Sequence, residues 1–270
     1  MNQKRQAFFR LTKQRKSILD LLCRYTYLRT SHFYALTRAD RDGAQRAMRR
    51  LLHDFWKRGY LVRRVVVDYD APGPFPRYEN VYSLSSSGVE LLRNSGGLDY
   101  SLICTPEKSP HSLEHDIWIT EFHLAVERFC DLNGWTAYWQ QYNLKRTVNP
   151  DALFALTDPR RPEDESTSYY FLEMERSRQG SYLDGRSGLL RKLERYAEYY
   201  GTERCLRDWE WFDEFRVVIV VANETRRTNL LLQLSEFLPD PAFWVLVQGS
   251  DLSGDCFLTP GETRGHSLLE

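Results

Sequence analysis

Three carboxylates stand at the ends of two apolar, strand-like runs in the second half of this 270-residue chain. The segment PDALFALTDPRRPEDESTSYYFLEME, residues 150–175, has Asp151 before the first run and Glu173 and Glu175 at the end of the second. Such carboxylates either end strands in water or converge on a divalent cation, because Mg²⁺ prefers oxygen ligands. Both interpretations stay open, and the choice depends on whether the two runs pair with each other.

The elements around these carboxylates predict that the runs do pair. DALFAL and SYYFLEME are strand-like, and the charged loop RRPEDES between them is typical of a solvated hairpin connection. A long amphipathic helix after Pro110 and the strand WTAYWQQYNLKRT precede them. The helix GRSGLLRKLERYAEYY, the strand FRVVIVVA, the helix TRRTNLLLQLSEFL and the strand FWVLVQ follow. Because helical crossovers join parallel strands, this order predicts a mixed sheet covered by helices.

The positive charge of the chain is concentrated at its start, although the net charge is zero. Residues 1–65 contain 17 Lys or Arg against 4 Asp or Glu, and the rest of the chain contains 20 against 33. A folded basic segment of this kind gives the potential expected of a surface that meets phosphates. A solvated basic face without a partner is the simpler alternative.

The periodicity of the basic segment predicts three helices. The first has apolar residues at i, i+3, i+4 and i+7, namely Ile18, Leu21, Leu22 and Tyr25, with Thr12 as its N-cap. TSHFYAL predicts a second helix, capped by Thr30 or Ser31. The third, ADRDGAQRAMRRLLHDFWKRGYL, has an inner face of Ala44, Met48, Leu51, Leu52 and Phe55 and an outer face of Gln45, Arg46, Arg49 and Arg50.

Two strands follow the third helix, YLVRRVVVDYD and YENVYSL, joined by the Pro- and Gly-rich tip APGPFPR. Three helices followed by a hairpin resemble a winged helix-turn-helix domain over about residues 10–95. The resemblance implies that the third helix enters the major groove of double-stranded DNA and that the hairpin, or wing, lies along the backbone. The implied DNA-binding residues are Gln45, Arg46, Arg49 and Arg50 on the helix, and Arg63, Arg64 and Arg77 on or near the wing. A winged helix used for protein contacts is the competing interpretation.

The second half resembles the PD-(D/E)XK nuclease fold over residues 111–248, with Asp151 starting one strand and Glu173 ending its neighbour. The resemblance implies that both carboxylates hold Mg²⁺ or Mn²⁺, and that a metal-bound water attacks the phosphate. The lysine of the family pattern would stand where this chain has Glu175. Some members supply it from the following helix, which makes Lys192 the candidate. Asp151, Glu173, Glu175 and Lys192 are the implied catalytic residues; retention of the fold for binding alone is the alternative.

The whole chain resembles the replication-relaxation family of bacterial plasmids and other mobile elements, over roughly residues 10–248. The segments that carry this resemblance are LTKQRKSILDLLCRYTYLRTSHFYAL, RRLLHDFWKRGYLVR, HSLEHDIWITEF, NPDALFAL and FLEMERSRQG followed by LLRKLERYAEYY. It implies a DNA-associated role in replication, processing or mobilisation of a replicon, with other replication or mobilisation proteins as further partners and a homodimer as one oligomeric state. Members tend to have an acidic residue at the position of Glu175.

A rival motif lies at the start of the long helix. His111, Glu114 and His115 spell H-x-x-E-H, in which two histidines bind zinc and the glutamate acts as a base. Such enzymes need a third ligand and use longer chains, so a zinc hydrolase is a remote alternative. In the nuclease interpretation, Glu114 or Glu121 is instead an additional acid from this helix.

Composition argues against several classes of protein, namely disulfide-rich, cysteine-zinc and membrane-spanning proteins. Five cysteines without CxxC spacing indicate neither a disulfide framework nor a cysteine zinc site, and they favour a reducing cytoplasm. The longest apolar run, VVIVVA, is too short to cross a membrane. The tryptophans, Trp211 included, are expected mostly in the core, since no regular spacing supports stacking on single-stranded DNA.

The predicted α+β organisation is a winged helix at 1–100, a linker at 101–110, a PD-(D/E)XK-like αβββαβ domain at 111–250 and a tail at 251–270.

Overall fold

The computed structural model describes residues 11–39, 41–68, 77–95, 110–141, 146–176, 188–212, 214–237, 242–252 and 254–260. The chain divides into two units, Met1–Thr120 and Glu121–Glu270. This division falls inside one long helix, whereas residues 101–109 of the predicted linker lie outside the described residues. The predicted domain boundaries therefore stay predictions.

Among its described residues, the first unit contains four helices and a three-stranded sheet before the long helix begins. In chain order these elements are α1 (Lys13–Tyr25), β1 (Leu28–Arg29), α2 (Thr30–Leu36), α3 (Asp42–Lys57), β2 (Leu61–Asp68), β3 (Arg77–Leu84) and α4 (Ser86–Ser95). The sheet order is β1-β3-β2, with every pair antiparallel. Three helices followed by a hairpin is the predicted arrangement. The predicted tip of the wing lies outside the described residues, and the two-residue strand β1 was not predicted.

The starts of α1 and α2 show where local sequence decides a cap and where it does not. Thr12 caps α1 as predicted, because its hydroxyl accepts a hydrogen bond from Arg15 N–H at 3.3 Å. The predicted caps of α2, Thr30 and Ser31, are wrong, since the N-cap is Arg29. Ser31 N–H donates instead to Glu79 Oε1 at 2.6 Å, so a side chain from β3 satisfies this helix end.

The interior of the first unit follows the predicted apolar faces. Ile18 and Leu22 of α1, Phe33 of α2, and Leu52 and Phe55 of α3 are buried. Ala44, predicted on the inner face of α3, is exposed in the first turn of that helix. One face of the hairpin β2–β3 buries Val66 and Val81 against Leu113 and Ile117 of the long helix that begins at Pro110.

The second unit is built on a five-stranded mixed sheet. The elements are α5 (Pro110–Asn133), in which the division between the units falls, then β4 (Thr136–Gln140), β5 (Ala152–Thr157), β6 (Thr167–Glu175), α6 (Gly188–Tyr199), α7 (Glu203–Trp209), β7 (Arg216–Val221), α8 (Glu224–Phe237) and β8 (Phe243–Val247). The sheet order is β4-β5-β6-β7-β8. The first three strands are antiparallel and the last three parallel, which confirms the predicted mixed sheet. The short helix α7 was not predicted.

The two faces of this sheet are covered by different helices. On one face, Phe171 belongs to a buried cluster that includes Leu193 and Tyr196 of α6 and Leu230 of α8. On the other face, Phe154 contacts Phe122 of α5 edge-on, with ring centroids 5.7 Å apart. Side chains of β6 that share the orientation of Phe171, including Glu173, therefore face α6 and α8. Every helix among the described residues is too short or too polar to span a bilayer.

Substitution by alanine should change the free energy of unfolding in opposite directions at two glycines of the first unit. A Cβ at Gly88 would meet the carbonyl oxygen of Tyr60 well inside contact distance, whereas a Cβ at Gly43 has no neighbour within 4 Å. Gly88→Ala should lower the free energy of unfolding by about 2 kcal/mol. Gly43→Ala, the matched control in α3, should raise it by about 0.5 kcal/mol. Urea unfolding monitored by circular dichroism measures both; equal effects would contradict the packing around Gly88.

Candidate functional site

The hairpin β5–β6 brings Asp151 and Glu173 to the same end of the sheet. Asp151 directly precedes β5, and Ala152, the first residue of β5, pairs with Leu172, the residue before Glu173. Asp151 N–H donates to the Leu172 carbonyl at 2.9 Å, and Asp151 Oδ2 accepts from Met174 N–H at 2.8 Å. The predicted pairing of the two runs is confirmed, and the Asp151 carboxylate is held by the backbone of β6.

The carboxylate of Glu173 is buried, with 3 % of the residue exposed, and each of its oxygens accepts a hydrogen bond from α6. Lys192 Nζ donates to Oε2 and Tyr196 O–H donates to Oε1, both at 2.5 Å. Lys192 and Tyr196 are four residues apart, so they lie on the same side of α6. Lys192 was predicted at this site, and the structure brings it to Glu173. Tyr196 was missed, although its i+4 spacing from Lys192 was a usable signal.

The surroundings of Glu173 favour its neutral form. Burial, and then the negative charge of Asp151, raise the pKa of Glu173 to about 8, although the donors Lys192 and Tyr196 act to lower it. Burial dominates because a carboxylate out of water loses more hydration than one partly exposed lysine restores. Burial and the negative charge of Glu173 also raise the pKa of Tyr196 well above its ordinary value. Loss of hydration therefore favours a proton on Glu173, and the neighbouring charge of Asp151 favours a proton or a cation beside it.

Glu175 lies beside a different helix from Glu173. Its Oε1 lies 3.6 Å from Nη2 of Arg226, a buried side chain of α8. Glu173 and Glu175 share one face of β6, but α6 contacts the first and α8 the second. The cation beside Glu175 was not predicted, because nothing local links position 175 to position 226.

Two carboxylates, and not three, converge at this end of the sheet. Among the described residues, no group of three His, Cys, Asp or Glu side chains is placed to hold a metal ion. Glu121 accepts from Gln248 Nε2 at 2.9 Å and lies on α5, which covers the other face. Mg²⁺ is commonly held by one or two carboxylates together with water and phosphate oxygens, so Asp151 and Glu173 fit it chemically.

Among the described residues, no third metal ligand completes a zinc site at the H-x-x-E-H motif. His115 Nδ1 lies 3.7 Å from Asp116 Oδ1. The side chain of His111 lies outside the described part of the chain, so the pairing of the two histidines stays a prediction.

The outer face of α3 carries the predicted basic group. Arg46, Arg49 and Arg50 are exposed, and Gln45 is half-buried beside the inner face. Arg49 Nε donates to the hydroxyl of Tyr34 in α2 at 2.6 Å, which fixes the direction of this guanidinium. The four residues therefore form one surface of α3, as predicted.

The three arginines of the wing do not share a face. Arg63 lies 3.7 Å from the ring centroid of Trp56 in α3, so it extends the basic surface of that helix. Arg64 is the next residue of β2 and points to the opposite face, the one that buries Val66. Arg77, paired with Asp68, is on that opposite face as well.

Comparison with known proteins identifies a family. The family model described as replication-relaxation matches residues 19–214. No curated protein matches the chain. Among solved structures, the crystal structure of Bacillus subtilis PadR in complex with operator DNA matches with a TM-score of 0.27 and 14 % identity, covering 47 % of this chain and 74 % of that one. A likeness with so low a TM-score supports no conclusion about this chain.

The raised pKa of Glu173 predicts that the unsubstituted protein and the variant Glu173→Gln differ in stability by an amount that depends on pH. Between the ordinary carboxyl pKa and about 8, the folded state holds a proton that the unfolded state has lost, so the free energy of unfolding contributed by Glu173 falls as pH rises. Glu173→Gln removes this dependence, and its stability relative to the unsubstituted protein should increase by up to about 1.4 kcal/mol per pH unit in this window. Urea unfolding from pH 5 to pH 8 measures the difference.

The control for this experiment is Glu163→Gln, which removes one exposed carboxylate from the β5–β6 loop. A constant difference between Glu173→Gln and the unsubstituted protein across the window would mean that Glu173 is charged when folded. The ion pair with Lys192 would then outweigh burial.

Proposed function

The chain belongs to the replication-relaxation family, and from this premise we propose that it binds double-stranded DNA and acts in the replication, processing or mobilisation of a plasmid or other mobile element. The observation that carries the proposal is the exposed basic surface of α3, formed by Arg46, Arg49 and Arg50 with Gln45 beside them. Arginine on one side of a helix can read guanine in the major groove or bind phosphates.

The neighbouring contacts support this use of α3. Tyr34 orients Arg49, and Trp56 supports Arg63, so two guanidinium groups are held in place before DNA arrives. Ordering them in advance lowers the entropy lost on binding. Arg64 and Arg77 lie on the other face of the hairpin, so for these two we propose contact with backbone phosphates beside the wing and not with bases.

Loss of two α3 arginines should weaken duplex binding and reduce its salt dependence. Arg46→Ala combined with Arg49→Ala should lower the affinity for a duplex about tenfold or more, and reduce the slope of log K against log salt by about one per lost phosphate contact. Fluorescence anisotropy of a labelled duplex across a salt series measures both quantities.

The matched control combines Arg93→Ala with Arg128→Ala, two exposed arginines outside α3, because it makes the same change in net charge. Equal losses in the two double variants would show that overall charge, and not the surface of α3, determines binding.

For the second unit we propose a PD-(D/E)XK-like domain that cleaves DNA, with Asp151 and Glu173 as the carboxylates of its cleavage site. These two carboxylates would hold Mg²⁺ or Mn²⁺, which when bound supplies an acidified water and neutralises phosphate charge. The protein's own groups prepare the site: Met174 N–H fixes Asp151, and Lys192 and Tyr196 fix both oxygens of Glu173. Lys192 supplies from α6 the cation that the family pattern places at position 175.

A non-catalytic DNA-binding regulator is the second candidate, and the arrangement of donors favours it. Both oxygens of the buried Glu173 already accept hydrogen bonds, and Glu175 lies beside the buried cation of Arg226. Cation binding would have to rearrange Lys192 or Tyr196. In this candidate the same groups only stabilise the sheet, and the nuclease-like fold serves binding alone.

Nicking of plasmid DNA separates the two candidates. If the site is catalytic, the full chain with Mn²⁺ should convert supercoiled plasmid to open circles, and Asp151→Asn should slow this at least about 100-fold by removing a ligand charge. Asparagine keeps an oxygen for Met174 N–H, so duplex binding should be unchanged. Agarose gels over time measure the rate.

Glu163→Gln, which removes an exposed carboxylate outside the site, should nick as fast as the unsubstituted protein, and nicking by Asp151→Asn reports any contaminating nuclease. Equal nicking by the unsubstituted protein and Asp151→Asn, or none by either, would exclude the catalytic role and leave the regulator.

A further inference from the structure

The second unit contains a cavity that neither the carboxylates nor the α3 surface uses. Its volume is about 520 Å³, and its walls include Ser168 and Tyr169 near the start of β6, Tyr200 after α6, and Trp211 and Glu214 before β7. Glu173 and Glu175 lie at the other end of β6, where the strand finishes. A cavity of this size falls in the range of sites for small organic groups.

Aromatic rings dominate the cavity and its margin. Trp211 is 48 % exposed and Tyr200 is 41 % exposed, and Tyr138 beside them is 46 % exposed. The Trp211 ring stands nearly perpendicular to Tyr138 and Tyr169, with centroids 5.5 and 5.6 Å away. Since Tyr138 and Tyr169 both pair with Ala155 of β5, they hold Trp211 across that strand. The expectation that Trp211 is a core residue is therefore wrong: its position is fixed while half of its surface meets solvent.

The polar groups of the cavity suit a flat, hydrogen-bonding ligand better than a phosphate. Glu214 contributes a carboxylate and Ser168 a hydroxyl. The guanidinium of Arg216, another wall residue, lies 4.7 Å from the ring centroid of Trp244. Residues 121–270 also carry 17 Lys or Arg against 25 Asp or Glu, a balance that disfavours a phosphate-rich duplex here.

We propose that this aromatic cavity binds an unpaired base of single-stranded DNA, which stacks on Trp211 and Tyr200. Stacking on aromatic rings tolerates any base, because every base has a π-face, and the carboxylate of Glu214 can accept from base N–H groups. The proposal rests on the association of the protein with DNA, but it needs neither duplex binding by α3 nor cleavage at Asp151.

A cationic group is the main competing ligand, since aromatic rings with a carboxylate also attract ammonium and guanidinium ions. The size of the cavity favours the base, because a charged head group is smaller than a base and would fill less of the 520 Å³.

Single-stranded binding by the full chain tests the proposal. The probe is a fluorescein-labelled oligothymidylate of about 20 nucleotides, longer than the stretch that one stacking surface covers. Trp211→Ala should weaken its binding at least about fivefold, the loss expected from one stacked base, whereas Trp211→Phe should retain most of the affinity. Leu232→Ala, at an exposed apolar residue of α8, is the matched control and should change nothing.

Photocrosslinking of the unsubstituted protein gives a readout that does not depend on the folding of a variant. An oligonucleotide containing 4-thiothymidine should crosslink to Trp211 or Tyr200, as identified by mass spectrometry of the peptides. Crosslinks confined to the first unit, or a change below twofold in Trp211→Ala, would overturn the proposal. Tryptophan fluorescence gives the opposite outcome. If acetylarginine amide quenches it in the unsubstituted protein but not in Trp211→Ala, and the oligonucleotide does not quench it, the cavity would be assigned to a cationic ligand instead.

The α3 variant separates this proposal from duplex binding. Arg46→Ala combined with Arg49→Ala should weaken duplex binding and leave single-stranded binding at the cavity within twofold. If single-stranded binding depends on the α3 arginines and not on Trp211, the cavity proposal fails while the duplex proposal stands. If it depends on Trp211 and the α3 variant binds duplex normally, the reverse holds.

Discussion

The burial of the Glu173 carboxylate at the end of β6 is the constraint on which the chemistry of the second unit depends. A carboxylate removed from water is costly unless donors satisfy its oxygens, and here Lys192 and Tyr196 satisfy one each. Asp151 accepts a hydrogen bond from Met174 N–H, so the backbone of β6 holds the second carboxylate near the first. Burial is the main cause of the raised pKa of Glu173, and the negative charge of Asp151, the second cause, is also what would attract a cation.

If the protein binds DNA as proposed, the distribution of charge suits the two units to different kinds of DNA contact. Residues 1–65 carry a large excess of Lys and Arg, which suits contact with many phosphates at once. Residues 121–270 carry an excess of Asp and Glu, so any contact that they make with DNA has to be local. A cation held by carboxylates and a stacked base are both local contacts, since neither requires a broad positive surface.

Sequence patterns predicted those features that depend on neighbouring residues. The cap of α1 by Thr12, the basic face of α3 and the succession of helices and strands along the second unit are of this kind, because periodicity and capping act over a few positions. Lys192 was placed correctly because family resemblance, added to the helical pattern, singled it out. Features that join distant positions could not be predicted. Glu79 completes α2 across 48 positions, Arg226 meets Glu175 across two elements, and the alternation along β2 separates Arg63 from Arg64.

The crossover between β6 and β7 makes the carboxylate site depend on more than the β5–β6 hairpin that carries both acids. Lys192 and Tyr196 belong to α6, which lies in the connection that joins β6 to its parallel neighbour β7. Without α6, Glu173 would lose both of the side-chain donors that satisfy its oxygens. The hairpin alone therefore contains both acids but not the enclosed environment of Glu173, which requires the connection to the parallel half of the sheet.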